Sequence, residues 1–335
     1  ESRPHPWGTS LPAVVIKPDG EDSWSMDLQP GDPGSLTVDE IVEKVRLPGV
    51  VGMGGAAFPA HVKMSPPPEK KISTLIFNGV ECEPYLTADH RMMLEESERI
   101  LQGVALLQFV FGAERVVIGI EANKPDAIAL LEKECAGAPV EILPLQVKYP
   151  QGAEKQLIAA VTGREVPSGG LPMDIGVAVH NISTAAAVAD AVLFGRPLVE
   201  RVCTVTGPAI REPKNLRIRI GTPLSHLVEV CGGVTEDPGK IVLGGPMMGF
   251  TQLDFDVPAT RGTSGLLLLR DEDVDRQEEG PCIRCSRCVQ ACPMHLLPTT
   301  IAAYSRRDLL AEASESCAMD CIECGSCSYV CPATI

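Results

Sequence analysis

The sequence lacks an excess of basic residues and a long apolar run. It has 29 Lys and Arg against 44 Asp and Glu, a formal net charge of −15. Binding to nucleic acid requires clustered Lys and Arg that neutralise phosphates, so this balance argues against a nucleic-acid partner. The longest apolar stretch, residues 104–120, is interrupted by Glu114 and Arg115 and offers fewer than the ~20 apolar residues that cross a bilayer. Neither a transmembrane helix nor a signal peptide is predicted.

The chain is also longer than one hydrophobic core normally supports. Its 335 residues indicate several domains. The acidic and polar residues 271–280 mark a solvated linker to a C-terminal domain that carries most of the cysteines.

Eight of the 13 cysteines form two copies of the pattern C-x2-C-x2-C-x3-C-P. This spacing is typical of bacterial ferredoxins, in which three thiolates of a run hold one [4Fe-4S] cluster and the fourth binds the other cluster. The proline after each fourth cysteine removes an N–H donor and turns the chain away from a crowded cluster. We therefore predict two clusters with exchanged ligands: Cys282, Cys285, Cys288 and Cys331 for the first, and Cys321, Cys324, Cys327 and Cys292 for the second.

Zinc binding and disulfides are the alternatives for these cysteines. Tetrahedral zinc usually takes two Cys pairs separated by a longer gap, and zinc chemistry does not require a third Cys two residues on. Oxygen-sensitive clusters with unpaired thiols indicate a reducing compartment, either the cytoplasm or the cytoplasmic face of a membrane. Of the five other cysteines, only Cys317 lies close enough to a run to substitute as a ligand, and buried, inert thiols are the default.

A glycine-rich segment at residues 49–59 is the first candidate binding loop. A capping box at residues 37–40 predicts a helix before it. Glycines at this density let backbone N–H groups approach a phosphate, and Lys63 supplies a counter-charge. The dinucleotide fingerprint requires a strand before the glycines, so a purely structural turn is the alternative. The candidate residues of this segment are Gly52, Gly54, Gly55, Phe58 and Lys63.

Strands alternate with helices after this loop, which predicts a parallel or mixed sheet covered by helices. A strand predicted at residues 74–78 ends at Asn78, and Glu81 and Glu83 follow it. Ligands gather at the carboxyl ends of strands in open α/β sheets, and carboxylates can accept hydrogen bonds from ribose hydroxyls or a nicotinamide amide. The alternative is that the two glutamates are solvated loop acids.

Two later loops contain further candidates. The segment at residues 149–155 places Tyr149, Gly152 and Glu154 between a strand and a helix. Asn181 follows His180 directly before an alanine-rich helix. By itself, His180 is more often a loop or core histidine than a ligand.

The remaining segments predict structure without evident chemistry. Residues 200–243 have the order strand, strand, helix, strand, which suggests a small α+β unit of the β-grasp kind. A strand is predicted at residues 13–16, a single long helix at residues 87–111 and a connecting helix at residues 298–313.

Together these motifs resemble one family. The loop GVVGMGGAAFPAHVK, the strand end NGVECEPY, the turn YPQGAEKQL, the HN pair and the doubled ferredoxin run are similar to the RnfC/RsxC family of Rnf (Rsx) ion-translocating electron-transport complexes. Residues 37–195 more distantly resemble the flavin-binding NADH dehydrogenase subunit of respiratory complex I. The resemblance implies a multidomain α/β plus α+β fold with the end of a barrel-sandwich domain (1–27), a Rossmann-like FMN/NADH domain (37–196), an SLBB β-grasp domain (199–255) and a bacterial-type 2×[4Fe-4S] ferredoxin domain (275–335).

The resemblance also implies roles for the candidate residues. Ala57 stands where many relatives have glycine, Val80 stands where the complex I subunit has an aspartate, and His180 stands where that subunit has the first of two asparagines. The implied flavin residues are Gly52, Gly54, Gly55 and Lys63 around the FMN phosphate and ring, with Asn78, Glu81 and Asn181 completing the pocket and Tyr149 and Gly152 beside it. Phe58 would stack on the nucleotide, and Glu83 and Glu154 would hold NADH.

The implied function is NADH:acceptor oxidoreduction in a membrane-bound, ion-translocating complex. Hydride would pass from NADH to FMN, and single electrons would then pass through both clusters, because a nicotinamide releases two electrons together while each cluster takes one. Expected partners are membrane subunits, an iron-sulfur subunit and, indirectly, ferredoxin or flavodoxin, with the chain peripheral on the cytoplasmic face of the bacterial inner membrane. A flavin and iron-sulfur cobalamin reductase of a microcompartment and a non-enzymatic electron-relay scaffold are the alternatives.

Overall fold

The computed structural model describes residues 1–24 and 28–335. Its N-terminal segment forms an antiparallel pair of strands, β1 (Ser2–Pro4) and β2 (Ser10–Pro12). The strand predicted at residues 13–16 is therefore wrong, because Val14 and Ile16 are exposed and belong to no strand. β-branched residues favour a strand only where neighbouring strands and burial support it. The predicted domain end at residue 27 lies outside the described residues.

The predicted capping box is confirmed at α1 (Val38–Arg46). Thr37 Oγ1 accepts a hydrogen bond from the Glu40 N–H, and the Glu40 carboxylate accepts one from the Thr37 N–H at 2.8 Å. Ile41 and Val45 are fully buried on the inner side of the helix. Because α1 ends at Arg46, it fixes where the glycine-rich segment begins.

The predicted alternation of strands and helices is confirmed in the following segment. Its elements are α2 (Ala60–Lys63), β3 (Thr74–Gly79), α3 (Ala88–Glu95), α4 (Ser97–Phe111), β4 (Arg115–Glu121), α5 (Pro125–Glu134), β5 (Val140–Leu145), α6 (Glu154–Thr162), a 3-10 turn (Pro172–Ile175), β6 (Val177–Asn181) and α7 (Ile182–Leu193). The strands form a parallel sheet in the order β5-β4-β3-β6. The carboxyl ends of β3 and β6 therefore lie side by side, with Asn78 opposite Asn181.

The single helix predicted at residues 87–111 is wrong, because α3 and α4 are separated at Glu96. This residue has a non-helical backbone with φ −130° and ψ 25°. Its carboxylate pairs with both Arg99 and Arg217, so ion pairs hold the chain at the break. Beyond the break, α4 packs so closely on α7 that a Cβ on Gly103 would overlap the Ala185 carbonyl group. This close approach explains a glycine in the middle of a helix.

A second, mixed sheet follows the α/β domain. It contains β7 (Glu200–Thr206), β8 (Lys214–Arg219), β9 (Lys240–Leu243), β10 (Phe250–Gln252) and β11 (Gly265–Leu269), with α8 (Leu224–Val230) packed against it. The predicted order of strand, strand, helix, strand is confirmed. The strand order β10-β9-β11-β7-β8 places β11, which is not predicted from the sequence, between β9 and β7. Its leucines are buried without alternation, so the period-2 signal of a half-buried strand is absent.

The cysteine-rich domain consists of short helices and loops. The helices are α9 (Arg287–Ala291), α10 (Pro298–Ser305), α11 (Leu310–Glu315) and α12 (Ser326–Tyr329), and a 3-10 turn covers Ala318–Asp320. The single connecting helix predicted at residues 298–313 is wrong, because the chain turns between α10 and α11, where Asp308 has φ 56°. Within residues 1–24 and 28–335, no helix combines the length and apolar character needed to span a bilayer.

Candidate functional site

The glycine-rich loop is closed at its base and anchored at its centre. The Gly52 N–H donates a hydrogen bond to the Phe58 carbonyl at 2.7 Å, which closes the loop. The Met53 N–H donates to Thr184 Oγ1 at 2.9 Å, and the Met53 carbonyl accepts from the Arg201 guanidinium at 3.3 Å. The loop is therefore fixed between the start of α7 and strand β7.

The tip of this loop is open. Gly55 has φ 118°, a conformation that favours glycine, and no heavy atom lies within 4 Å of where its Cβ would be. A Cβ on Gly54 would lie 3.5 Å from the Cβ of Asn181. Phe58 is half-exposed beside the loop. A glycine-lined cradle with an open front fits a flavin nucleotide, because both the phosphate and the ring need close backbone approach.

Asn78 joins the end of β3 to the loop that carries Gly152. Its Nδ2 donates to the Gly152 carbonyl at 2.8 Å, and its Oδ1 accepts from the Val80 N–H at 3.0 Å. A Cβ on Gly152 would lie only 2.5 Å from the Val80 carbonyl oxygen, so glycine is required at this contact. Two candidate segments separated by about 70 residues thus meet at the sheet edge.

Lys63 and Glu154 form an ion pair. Lys63 Nζ lies 2.6 Å from Glu154 Oε1, and both side chains are partly exposed. Glu154 is the first residue of α6, where the helix dipole favours a negative charge. A phosphate that bound Lys63 would compete with Glu154 for the same ammonium group.

Two partly buried carboxyl groups lie beside the ends of β3 and β6. Glu81 accepts hydrogen bonds from the N–H groups of Asp89 (3.0 Å) and His90 (3.2 Å). The Asp89 carboxylate accepts from Asn181 Nδ2 and Ser183 Oγ, both at 2.7 Å. Burial, followed by the neighbouring Asp89, raises the pKa of Glu81 to about 7, and burial also raises the pKa of Asp89. The pair therefore retains a proton at a pH where exposed carboxyl groups are ionised.

Glu83 contacts the second sheet. Its two carboxylate oxygens accept hydrogen bonds from the N–H groups of Met247 (3.0 Å) and Met248 (2.7 Å), in the turn between β9 and β10. Burial raises the pKa of Glu83, while these two hydrogen bonds lower it. Glu83 is thus held by a neighbouring domain, not solvated in a loop.

His180 lies in the core and not with the other candidates. Its ring is 5.7 Å from the Phe111 ring and 6.4 Å from the Phe77 ring, centroid to centroid. Burial lowers its pKa to about 3, so the imidazole is neutral. Successive strand residues face opposite sides of a sheet, which separates His180 from Asn181. The interpretation of His180 as a core histidine is confirmed.

The two cysteine runs share a backbone conformation. Two residues after the first cysteine of each run, Arg284 and Glu323 have φ values of 55° and 54°. Their N–H groups donate to the sulfurs of Cys282 and Cys321, each at 3.4 Å. N–H groups directed at sulfur stabilise thiolate ligands and tune iron-sulfur clusters. The backbone of both runs therefore fits the predicted clusters.

The thiols of both runs are free. No group of three or more His, Cys, Asp or Glu side chains in residues 1–24 and 28–335 converges to hold a single metal ion. In a [4Fe-4S] cluster each thiolate binds a different iron, so the sulfurs surround a cluster instead of converging on one ion. The four-thiolate donor sets of the two runs fit that chemistry.

The second run contacts the α/β domain, whereas the first two cysteines of the first run face solvent. Tyr149 Oη donates a hydrogen bond to the Cys324 carbonyl at 2.7 Å, and Cys324 is buried. Ser168 Oγ, in another loop of the α/β domain, donates to Asp320 at 2.7 Å. The first two cysteines of the first run are exposed. The two runs are therefore not equivalent in position.

Sequence reasoning missed Asp89 and Arg201, which hold candidate segments in place: Asp89 accepts a hydrogen bond from Asn181, and Arg201 donates one to the Met53 carbonyl. The buried Arg201 guanidinium donates to the carbonyls of Val202, Arg261 and Met53. The sequence signal for such a residue is a charge at a position of a helix or strand where an apolar side chain is expected. This signal is weak unless the group that pairs with the charge is known.

Comparison with known protein families assigns three regions of the chain. A family described as the Nuo51 FMN-binding domain matches residues 45–190, the SLBB domain matches residues 202–251, and the 4Fe-4S dicluster domain matches residues 281–335. The predicted fold class is confirmed. The chain contains an FMN-binding domain and a 4Fe-4S dicluster domain, as predicted.

Close relatives cover nearly the whole chain. It is 50% identical over 317 residues to the C subunit of the proton-translocating ferredoxin:NAD(+) oxidoreductase complex of Clostridium ljungdahlii, covering 93% of this chain and 68% of the relative. It is 48% identical over 322 residues to the C subunit of the Na(+)-translocating ferredoxin:NAD(+) oxidoreductase complex of Acetobacterium woodii, covering 96% and 73%. For the C subunit of the ion-translocating oxidoreductase complex of Rhodobacter capsulatus the identity is 44%, covering 90% and 58%.

Solved structures support the fold. A crystal structure of NAD+-reducing [NiFe]-hydrogenase in the air-oxidized state superposes with a TM-score of 0.57 and 20% identity, covering 70% of this chain and 47% of the hydrogenase chain. At this identity the likeness concerns the fold alone.

Proposed function

Because the chain belongs to the RnfC/RsxC family of ion-translocating oxidoreductase complexes, we propose that it is the NADH-oxidising, electron-input subunit of such a complex. Its partners in this proposal are membrane subunits and an iron-sulfur subunit, with ferredoxin or flavodoxin as indirect partners. The chain would lie on the cytoplasmic face of the bacterial inner membrane as a peripheral subunit. Ion translocation would be carried out by the complex and not by this chain.

The proposed site uses the residues around the glycine-rich loop to bind and orient the reactants. FMN supplies the chemistry, because a flavin accepts a hydride and releases electrons one at a time. Backbone N–H groups of the loop bind the flavin phosphate, with Lys63 as counter-charge. Glu83 and Glu154 bind NADH. No side chain is required as an acid or base in hydride transfer itself.

The second cysteine run is the proposed first receiver of electrons. Tyr149 of the flavin pocket contacts the Cys324 carbonyl, and Gln156 Nε2 of α6 donates to the Pro293 carbonyl at 3.1 Å. Pro293 follows Cys292, which is assigned to the same cluster as Cys324 by the exchanged-ligand pattern. Both contacts with the α/β domain therefore support the second cluster as the nearer one. The first cluster, whose ligands Cys282 and Cys285 are exposed, is then the one that passes electrons to the next carrier.

The observation that carries this proposal is the hydrogen bond between Tyr149 and Cys324, since it joins a residue of the proposed flavin pocket to a cysteine run. The test uses purified protein reconstituted with FMN, iron and sulfide, mixed with NADH under anaerobic conditions. We expect flavin absorbance and cluster absorbance both to bleach, because the electrons pass from one to the other.

Two controls make the experiment decisive. Protein loaded with clusters but without FMN should not bleach with NADH, and dithionite should still reduce its clusters directly. Protein that binds both clusters but cannot bind FMN would overturn the assignment of electron input to this chain. The alternative, an electron-relay scaffold, predicts a protein that binds both clusters but does not bind FMN.

A further inference from the structure

The turn between β9 and β10 binds Glu83 through its backbone. It comprises residues 244–249, with the sequence Gly-Gly-Pro-Met-Met-Gly. Successive N–H groups, those of Met247 and Met248, donate to different oxygens of the one carboxylate, at 3.0 and 2.7 Å. The turn itself is held in shape by a hydrogen bond from the Gly249 N–H to the Gly245 carbonyl at 2.9 Å. A backbone of fixed shape therefore sets the orientation of this carboxylate.

Glycines allow the turn to approach both neighbouring domains. A Cβ on Gly245 would lie 2.5 Å from Glu83 Cδ, which no real packing permits. On the other side, a Cβ on Gly325 would lie 3.0 Å from the Met247 carbonyl oxygen. Residues 244–249 are thus wedged between the Glu83 carboxylate and the loop of the second cysteine run.

We propose that the turn at residues 244–249 is a positioning element for Glu83, so that the β-grasp domain sets the affinity of the α/β domain for NADH. This inference rests on the proposed function. Each carboxylate oxygen of Glu83 accepts one hydrogen bond from the turn, and its second lone pair can accept another from a ribose hydroxyl or an amide N–H. The turn fixes the direction of those free acceptor sites without itself having to touch the nucleotide.

The physical reason is pre-organisation. A glutamate on a loop loses side-chain freedom when it binds a ligand, and that loss weakens binding. Two hydrogen bonds from fixed N–H groups remove most of this freedom before the ligand arrives. Burial raises the pKa of Glu83, whereas these two hydrogen bonds lower it and so favour the ionised form, which accepts hydrogen bonds from hydroxyl groups.

The test is a double-mutant cycle on FMN- and cluster-loaded protein. Gly245→Ala places a methyl group against the carboxylate and displaces it, and Glu83→Ala removes the carboxylate. NADH affinity is measured by fluorescence titration on protein reduced beforehand, so that no hydride is transferred. Gly34→Ala is the matched control, because its added methyl would make only an ordinary contact, 3.4 Å from Asp32 Oδ1. Flavin and iron contents are measured for every variant.

We expect Gly245→Ala to bind NADH roughly tenfold more weakly, since hydrogen bonds to a charged group are at stake. In the Glu83→Ala background the same substitution should have no further effect. Met248→Pro, which replaces the N–H donor to Glu83 Oε1 by a ring methylene, should also weaken binding, so the test does not depend on one variant folding.

Unchanged affinity in both turn variants would overturn the inference and leave the proposed function intact. An additional full loss in the double mutant would also overturn it, because the turn would then act independently of Glu83. Wild-type protein that binds no NADH would overturn the proposed function and this inference with it.

Discussion

Asn78 gives a quantitative test of the flavin pocket. It makes two hydrogen bonds, one to the Gly152 carbonyl at 2.8 Å and one from the Val80 N–H at 3.0 Å. Asn78→Ala removes both, each worth about 1 kcal/mol net. Because the first bond holds the turn of residues 149–154 against the end of β3 and the second orders the chain that follows β3, we expect the ~2 kcal/mol to appear as roughly 30-fold weaker FMN binding.

The assay is titration of flavin-free protein with FMN, followed by quenching of flavin fluorescence. Asn215→Ala is the matched control: Asn215 Nδ2 donates to Thr87 Oγ1 at 2.9 Å and its Oδ1 accepts from Thr204 Oγ1 at 2.7 Å, outside the pocket. The control should lose comparable stability and retain wild-type FMN affinity. Equal FMN affinity in the two variants would refute the reasoning, because the amide of Asn78 would then have no role in shaping the pocket.

Two further predictions concern the clusters and the carboxyl pair of Glu81 and Asp89. The Cys324→Ser variant should contain about half the iron of the wild type, because one cluster loses a thiolate. The Cys317→Ser variant should keep all of its iron, because Cys317 is an exposed thiol outside both runs. Iron and sulfide analysis would contradict this prediction if both variants kept full iron. Because the pKa of Glu81 is raised from 4.5 to about 7, the folded state binds more protons than the unfolded state in that window, so stability should fall as pH rises through it. Glu81→Gln should flatten this slope in denaturant unfolding, and an unchanged slope would argue against a proton on Glu81.

Features encoded by neighbouring residues are predictable from the sequence. The helix start at Thr37 follows from a capping box of four residues, and the strand that ends near Asn78 follows from an uninterrupted apolar run. The cysteine runs are predictable for the same reason, since their spacing alone carries the ferredoxin pattern. In each case the physical cause lies within about ten residues of chain.

Contacts between distant segments are not predictable in this way. The pair of Lys63 with Glu154 and the contact of Glu83 with Met248 join residues 91 and 165 positions apart. From the sequence, these charged side chains could equally be solvated in loops, because no local pattern indicates which residues they contact. Strand β11 is missed for a related reason: its leucines are buried on both faces by neighbours that come from elsewhere in the chain.

One residue distinguishes the two cysteine runs and indicates which one packs against the turn at residues 244–249 of the β-grasp domain. Ser286 and Gly325 occupy equivalent positions, and both have left-handed backbones, with φ 61° and 73°. Conformation alone does not require glycine at residue 325, since serine adopts the same turn in the first run. The requirement comes from packing: a Cβ at residue 325 would lie 3.0 Å from the Met247 carbonyl oxygen, whereas Ser286 is exposed. Glycine in the second run therefore follows from its contact with the turn that holds Glu83, and this contact brings the second run close to the carboxylate proposed to bind NADH.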